Sequence, residues 1–403
     1  MSPASRIDLG ALLEAVEAAP PTAATAVLSE LLGEAFGATE VAFLIADFSG
    51  RSLIRVDPAA SEQGGRHTEA ATVALAGTPH GAALATQRVE VRTNGAGAHV
   101  YAPVTSRGEA VGVLELHLNA APGDEEIAAL ATVAHALAYI VIANRRYTDL
   151  YEWGQRTRPL SLAAEVQHRL LPGSYTCEAG QFTLAAWLEP AGDVGGDTFD
   201  FSLEQDALHV SITDAMGHTV EASLLATVAI GALRNARRRG VDLGAQAGEA
   251  NAALLEHADA GQYVTGQLVR IDLQAQTASV VNGGHPPPLR LRDGQVSRVE
   301  LAADPPFGTF VDGAYRVQEL SLEPGDRLVF VTDGMLERSA RAVDVDALLR
   351  NSRDEHPREM VQRLSYAVLE ANGGDLADDA TALVLDWHGG PPRDRDASAG
   401  ANR

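Results

Sequence analysis

The feature of this 403-residue sequence that most constrains its fold is an apolar strand that meets an aspartate at its end. The pattern occurs in HVSITDAMG, in RLVFVTDGM and in DDATALVLDW, where a pair of aspartates opens the strand. A fourth acidic segment, EPAGDVGGDTFD, is rich in glycine. A carboxylate at the mouth of a buried strand costs several kcal/mol unless it is paired or bound to a metal.

These acidic segments together predict a site for hard divalent cations. Mg²⁺ and Mn²⁺ prefer oxygen ligands, and the chain contains no lysine that would pair with the carboxylates. Two such ions about 4 Å apart would lower the pKa of a water molecule between them and hold a phosphoryl oxygen in line for attack. No other nucleophile is indicated, since GxSxG is absent and Cys177 has no motif around it. A single Asp-Gly is most often only a turn, so a set of structural turns is the alternative at this point.

Composition narrows the class of protein. The chain has 31 Lys plus Arg residues against 54 Asp plus Glu, a formal net charge of −23. Such a surface repels phosphate groups, which argues against nucleic acid and anionic membranes as partners. Hydrophobic residues make up 46%, enough for two or three domains with their own cores. The start lacks the pattern of a signal peptide, and apolar stretches such as Ala136–Ala143 are too short to cross a bilayer. We therefore expect a cytoplasmic protein without membrane insertion.

The first block of the chain, to about residue 145, combines helical and extended patterns. Thr22–Phe36 has apolar residues at helical spacing, and VAFLIADFSG followed by RSLIRV is typical of a hairpin. HVYAPVTSRGEAVGVLELHL predicts two strands around a turn at Arg107-Gly108. Asp124–Asn144 opens with acidic residues and continues as an apolar helix. This order predicts an α+β module.

The order resembles that of a GAF domain, and APVTSRGEAVGVLEL, which is similar to the late GAF strands, carries most of the likeness. The resemblance implies a GAF-like α/β sensor at residues 21–145, after an N-terminal extension at 1–20, with a small-molecule or protein signal. His80 and His99 are candidates for its pocket, although single histidines are more often surface or core residues. Cys177 lies outside this block, so a cysteine-anchored haem or bilin is not expected.

Residues 146–175 are predicted to form a helical linker. Leu162, Val166, Leu170 and Leu171 fall on one helical face, and Pro172 ends the helix. A helix continuous with the sensor would pair with its copy in a homodimer, whereas a helix packed on its own domain explains the pattern equally well. The Gly-, Pro- and charge-rich tail at 389–403 is predicted to be disordered.

The block at 176–388 resembles the metal-dependent serine/threonine protein phosphatases of the PPM class, in the SpoIIE/RsbU-like bacterial branch. The matching motifs occur in the family's order and are, from the first to the last, PAGDVGGDTFD, ITDAMGH with EASLLATVAIGALR, VNGGHPPPL, DPPFG, LEPGDRLVFVTDGMLE and DDATALVL. The resemblance implies an αββα sandwich with two metal ions between its sheets. The overall fold class is then α+β, with a sensor, a helical linker and the sandwich. AAEVQHRLLP is similar to the switch helix that transmits sensor state in this family.

The resemblance also implies the site residues. Asp197 and Asp214 match catalytic metal ligands, with Asp214 bridging both ions, and Ala215 would offer its backbone carbonyl. Asp333 matches a further carboxylate, and the last comes from the pair Asp378 and Asp379, of which alignment of the motif favours Asp378.

Several other motif residues have structural interpretations first. Asn282 and His285 are expected to shape a turn, and His218 is expected either to orient water at the metal or to cap a helix. Gly195 and Gly196 are expected to permit close approach of the backbone.

The resemblance therefore predicts a Mn²⁺- or Mg²⁺-dependent phosphoserine/phosphothreonine protein phosphatase, regulated by its sensor, that uses metal-activated water. A phosphorylated anti-anti-sigma factor of the STAS type is the implied substrate. Three alternatives remain. A second-messenger cyclase is suggested by GGDTF, but Thr198 stands in place of the motif's Glu. The others are a catalytically silent scaffold with this fold, and a constitutive enzyme whose sensor serves only dimerisation.

Overall fold

The structure is a computed structural model of the 403-residue chain. It describes residues 8–56, 72–95, 97–156, 160–191, 195–217, 219–311, 313–335, 343–374, 376, 378–395, 397–398 and 401–402. The chain divides into a first unit, Met1–Pro159 with Asp396–Arg403, and a second unit, Leu160–Arg395.

A six-stranded antiparallel sheet organises the first unit, in the order β3-β2-β1-β6-β5-β4. The strands are β1 (Ala38–Ala46), β2 (Ser52–Arg55), β3 (Thr72–Ala74), β4 (Glu90–Asn94), β5 (Gly97–Ser106) and β6 (Glu109–Leu118). Arg107 and Gly108, with φ of 49° and 80°, form the two-residue turn between β5 and β6. Positive φ at both positions gives the tight hairpin that the sequence predicts there.

Helices cover both faces of this sheet. They are α1 (Leu9–Ala18), α2 (Ala24–Phe36), α3 (Pro79–Thr86), α4 (Asp124–Asn144) and α5 (Leu150–Gly154). The main core joins α1, α2 and α4 to one face, through residues such as Leu28, Val100 and Leu137. A smaller cluster on the other face joins Ala83 and Leu84 of α3 to the sheet.

Helix α4 spans the predicted Asp124–Asn144, and its 21 residues are, by length and composition alone, enough to cross a membrane. The expectation that apolar stretches such as Ala136–Ala143 are too short to cross a bilayer therefore does not hold for the whole helix, by length and composition. Leu130, Val133 and Leu137 are buried in the core of the first unit, so packing accounts for the apolar character of this face.

The linker is not one continuous helix in the described residues. Helix α4 ends at Asn144, the short α5 follows, and α6 (Leu162–Leu170) begins after Ser161, whose hydroxyl accepts a hydrogen bond from the Ala164 N–H. The expected continuous helix from sensor to linker is therefore interrupted. Helix α6 belongs to the second unit, where its buried face includes Ala163, Ala164 and Gln167.

Two antiparallel sheets form the centre of the second unit, in the orders β15-β12-β11-β10-β9 and β14-β13-β16-β17-β8-β7. The strands are β7 (Thr176–Glu178), β8 (Phe182–Glu189), β9 (Asp197–Leu203), β10 (Ala207–Ala215), β11 (Val264–Asp272), β12 (Thr277–Gly283), β13 (Leu289–Arg292), β14 (Gln295–Arg298), β15 (Gln318–Leu320), β16 (Asp326–Val331) and β17 (Ala380–Trp387). Their inner faces pack through residues such as Phe182, Phe199 and Phe330.

Helices pack on the outer faces of both sheets. Helices α7 (Val220–Arg238) and α8 (Leu243–His257) lie on the first, and α9 (Val345–Asn351) and α10 (Pro357–Ala371) lie on the second. This arrangement is the predicted αββα sandwich, so the α+β fold class is confirmed. Residues 389–395, expected to belong to a disordered tail, instead contact the sandwich: the Gly390 N–H donates to Gln276 at 3.0 Å, and Arg395 pairs with Glu178.

Candidate metal centre

The predicted acidic residues come together at one end of the sandwich. Asp197 is the first residue of β9 and lies directly opposite Asp214 of β10 in the strand register. Asp333 opens a short 3₁₀ turn just after β16, and Asp379 immediately precedes β17. Strands β16 and β17 are neighbours in the second sheet, so each sheet contributes two acidic positions to the same end.

Two threonines of the second sheet connect the sheets at Asp197. The hydroxyls of Thr332 and Thr381 both donate to Asp197 Oδ2, each at 2.6 Å. The same threonines pair with each other, because the Thr381 N–H donates to Thr332 Oγ1 at 3.1 Å. No sequence motif predicted these two threonines. The only available signal was their position beside the acidic motifs, in VTD and DDAT.

Of the adjacent residues Asp378 and Asp379, the first is exposed to solvent and the second is buried. Asp379 is buried, and its carboxylate accepts hydrogen bonds from the N–H groups of Ala191 and Gly196 and from the Gln167 side-chain amide, at 2.9, 3.1 and 2.6 Å. Asp378 is exposed, and its Oδ1 accepts from the Asp379 N–H at 2.9 Å. The inward carboxylate therefore fastens the glycine-rich segment, and the assignment of Asp378 as the ligand stays a prediction.

The negatively charged carboxylates at this centre repel one another. Burial raises the pKa of Asp197 well above its usual range, and the negative charges of Asp214 and Asp379 raise it further. The two threonine hydroxyls oppose this shift because hydrogen bonds to the ionised form stabilise it. Burial also raises the pKa of Asp379, against the effect of its N–H donors. A bound cation would remove the repulsion.

The donor set fits Mg²⁺ or Mn²⁺, because it consists of carboxylates and one backbone carbonyl. Ala215 lies against Gly196: its N–H donates to the Gly196 carbonyl at 3.2 Å. A Cβ on Gly196 would come within 2.5 Å of the Ala215 oxygen. Only glycine therefore permits this close approach beside the predicted carbonyl ligand.

Helix α6 reaches the centre from the linker through Gln167. The side-chain amide of Gln167 donates to the Asp197 carbonyl at 2.8 Å as well as to Asp379. Ser223 of α7 donates to the carbonyls of Gly195 and Ala163, at 2.7 and 3.0 Å, and so ties the glycine-rich segment to both helices. The sequence predicted a switch helix here but not the side chain that makes the contact.

The NGGH segment forms a turn, as expected. The His285 N–H donates to Asn282 Oδ1 at 2.9 Å, and Gly284 has a φ of 74°. The His285 ring is buried, its Nδ1 lies 2.9 Å from the Thr265 hydroxyl, and burial lowers its pKa to about 4. It is therefore neutral at physiological pH.

Asp200 pairs with Arg234 and Arg237 of α7, at 2.8 and 2.9 Å, so it holds β9 to that helix. His218 and residues 192–194 lie outside the described residues.

Comparisons with known proteins match both units. A family model described as Stage II sporulation protein E (SpoIIE) matches residues 204–388, a range that includes Asp214, Asp333 and Asp378 and begins just after Asp197. A GAF domain model matches residues 20–141. The solved phosphatase domain of SpoIIE from Bacillus subtilis, with a fragment of its regulatory domain, is 23% identical, with a TM-score of 0.45, and the match covers 52% of this chain and 65% of that one.

Two curated relatives come from Bacillus subtilis (strain 168). Phosphoserine phosphatase RsbP is 24% identical over 243 residues, which are 57% of this chain and 58% of RsbP. Phosphoserine phosphatase RsbU is 22% identical over 267 residues, 63% of this chain and 79% of RsbU. The match thus spans less than two thirds of RsbP.

The chain contains a SpoIIE-type phosphatase domain, preceded by a GAF domain. Within that class it is related to the phosphoserine phosphatases RsbU and RsbP.

Proposed function

We propose that this protein is a Mn²⁺- or Mg²⁺-dependent phosphatase acting on phosphoserine or phosphothreonine in a protein substrate. The observation that carries the proposal is the convergence at Asp197. Asp214 lies opposite it on the first sheet, and Thr332 and Thr381 of the second sheet hydrogen-bond to it. Four acidic motifs distant in sequence are thereby held at one end of the sandwich.

The chain's own residues would hold the metal and position the reaction. Asp197 and Asp214 would be the principal ligands, with the Ala215 carbonyl, Asp333 and Asp378 completing the oxygen set. Two bound divalent ions supply a water molecule of lowered pKa and neutralise charge on the phosphoryl group. Asp379 acts through the backbone, since its contacts fix Gly196 beside Asp197.

Regulation by the GAF domain is part of the proposal, and helix α6 is the element through which it would act. Gln167 contacts both the Asp197 carbonyl and the Asp379 carboxylate. A small rotation of α6 would break these contacts and loosen the predicted ligand segment. A GAF domain that serves only dimerisation remains the competing proposal.

The proposed substrate is a phosphorylated anti-anti-sigma factor of the STAS type, which extends the resemblance to the SpoIIE/RsbU-like branch. Cleavage of such a protein with a much higher kcat/KM than p-nitrophenyl phosphate would support this assignment. Equal kcat/KM values for a phosphorylated STAS protein and an unrelated phosphopeptide would contradict it without touching the phosphatase proposal.

The first test is hydrolysis of p-nitrophenyl phosphate by the full chain with Mn²⁺, Mg²⁺ or EDTA. We expect metal-dependent turnover that falls to the EDTA level in Asp214→Asn. Asp206→Asn is the matched control, because Asp206 is exposed in the turn between β9 and β10 of the same hairpin. A folded wild-type protein without turnover under either metal, on p-nitrophenyl phosphate and on a phosphorylated protein, would favour the silent scaffold.

A further inference from the structure

A second cluster of ligand-type side chains lies in the first unit, far in sequence from the carboxylates of the phosphatase domain. The cluster consists of His99, Glu115 and His117. Among the described residues, these are the His, Cys, Asp or Glu side chains of which three offer ligand atoms within 4.8 Å of one another. All three are partly exposed, so they are accessible from solvent.

The sheet itself brings these residues together. His99 of β5 and His117 of β6 are directly opposite in the register. Glu115 precedes His117 by two residues, so its side chain lies on the same face of β6. Leu114 and Leu116, which alternate with them along β6, belong to the main core. The cluster therefore occupies the opposite face, next to α3.

The distances within the cluster are close to those of metal ligands. His117 Nε2 lies 3.0 Å from Glu115 Oε1, and the rings of His99 and His117 have their centroids 4.0 Å apart. Two ligand atoms bound to one tetrahedral ion at 2.0–2.1 Å are about 3.3 Å apart. The three ligand atoms lie within 4.8 Å of one another, so the widest separation would have to close by about 1.5 Å at most for one ion to bind all three.

Further side chains around the cluster match the outer partners of a metal site. His117 Nδ1 lies 3.2 Å from Glu40 Oε2, a carboxylate that would fix the tautomer with Nε2 available for metal. His80 Nε2 lies 3.1 Å from Glu115 Oε2, the second oxygen of the ligand carboxylate. His80 Nδ1 is buried without a hydrogen-bond partner. The arrangement orients both ligands before any ion is bound.

We propose that His99, Glu115 and His117 bind a divalent first-row transition-metal ion, with Zn²⁺ as the best fit. Two imidazoles and one carboxylate suit Zn²⁺, Co²⁺ or Ni²⁺, whereas Mg²⁺ and Mn²⁺ at the phosphatase centre call for oxygen donors. A three-ligand site keeps its remaining position open to water or a small molecule. The metal would join β5 and β6 on the face that α3 covers, and would be chemically distinct from the phosphatase centre.

The simpler interpretation is an ion-pair network in which Glu115 is satisfied by His80 and His117 alone. It predicts no metal affinity. Titration of the full chain with Co²⁺ separates the two, because four- or five-coordinate Co²⁺ with histidine ligands gives intense visible bands and six-coordinate Co²⁺ with oxygen ligands gives weak ones. We expect an intense band that saturates at one equivalent and is displaced by Zn²⁺.

Substitutions test which residues bind the Co²⁺ ion that gives the visible band. His99→Gln and His117→Gln should each weaken Co²⁺ binding at this site by at least about tenfold. His257→Gln, an exposed histidine of the second unit, and Asp214→Asn at the phosphatase centre should leave the band unchanged. Circular dichroism checks that each variant is folded. Absence of an intense band in folded wild-type protein would overturn the proposal, and so would a band that survives both cluster substitutions or disappears in Asp214→Asn.

Discussion

At the residue scale, the threonines that hold Asp197 carry the sharpest prediction. Thr381→Val or Thr332→Val keeps the side-chain shape and removes one hydroxyl that donates to Asp197 Oδ2. Loss of a partner of a metal ligand lowers metal affinity or activity by about 10–100-fold. We therefore expect the Mn²⁺ concentration for half-maximal hydrolysis of p-nitrophenyl phosphate to rise by at least about tenfold.

The control for this experiment is Thr277→Val, at an exposed position at the start of β12. It makes the same chemical change away from the centre and should leave the Mn²⁺ dependence unaltered. An unchanged Mn²⁺ dependence in both buried variants would mean that the hydroxyls stabilise the fold only, and that Asp197 is not the ligand that they position.

His285 carries a prediction about pH. Its ordinary pKa of 6.5 is lowered to about 4 by burial, so the folded state takes up a proton less readily than the unfolded state. The free energy of unfolding should therefore fall as the pH drops from about 6.5 towards 4, by about 3 kcal/mol at most from this group. Urea unfolding of the second unit at several pH values would measure the slope.

His285→Gln removes this titration, so the variant should lose less stability on acidification than the wild type. The other histidines of the unit with lowered pKa values, His209, His356 and His388, contribute equally to both proteins and cancel in the comparison. His257→Gln, an exposed histidine, should retain the wild-type slope. Parallel slopes for wild type and His285→Gln would contradict the assignment.

Only some of the residues and contacts of the metal centre could be predicted from the sequence. The position of Asp214 at a strand end was predictable because an apolar run leads into it, whereas Asp197 was expected at the site only from the resemblance of its motif. The contacts of Thr332 and Thr381 with Asp197, and of Gln167 with Asp379, could not be predicted, since each depends on packing between segments more than 100 residues apart. The difference between exposed Asp378 and buried Asp379 likewise depends on four N–H donors contributed by other segments.

At the element scale, helix α6 is the part of the linker in which the face predicted from apolar spacing differs from the face that is buried. The apolar spacing of Leu162, Val166 and Leu170 predicted a helix, and the helix exists at Leu162–Leu170. The side chain that matters for the site is polar Gln167, which periodicity treats as solvent-facing. It is 1% exposed and donates to both Asp197 and Asp379.

Gln167→Ala tests the proposed coupling element. It should lower activity by about 10–100-fold and raise the Mn²⁺ requirement, because Asp379 and the Asp197 carbonyl each lose a donor. Arg169→Ala, on the solvent side of the same helix, should have no such effect, since its partner Glu165 forms an exposed pair. Loss of stability without a change in Mn²⁺ dependence would make Gln167 a packing residue only.

At the scale of the whole molecule, the sequence predicted the order of modules better than their connection. Length and a 46% share of hydrophobic residues predicted two or three domains with their own cores, and family resemblance gave the order of the modules. The GAF-like module, the αββα sandwich and the helix at Asp124–Asn144 are all present. The interruption after Asn144 and the contacts of residues 389–395 were not predictable, since neither follows from periodicity or composition.

For the whole molecule, we predict that the GAF domain controls the activity of the phosphatase domain. If the GAF domain sets the position of α6, a 160–395 fragment with both α6 and the sandwich should differ from the full chain in kcat/KM. Allosteric coupling is typically worth 1–3 kcal/mol, or about 5–150-fold. Either an increase or a decrease of kcat/KM in the fragment would show coupling. Gln167→Ala should lower activity in both proteins, because the contact lies within the second unit. Equal kcat/KM values for the folded fragment and the full chain, at the same Mn²⁺ concentration, would instead support the constitutive enzyme, with the GAF domain acting in assembly alone.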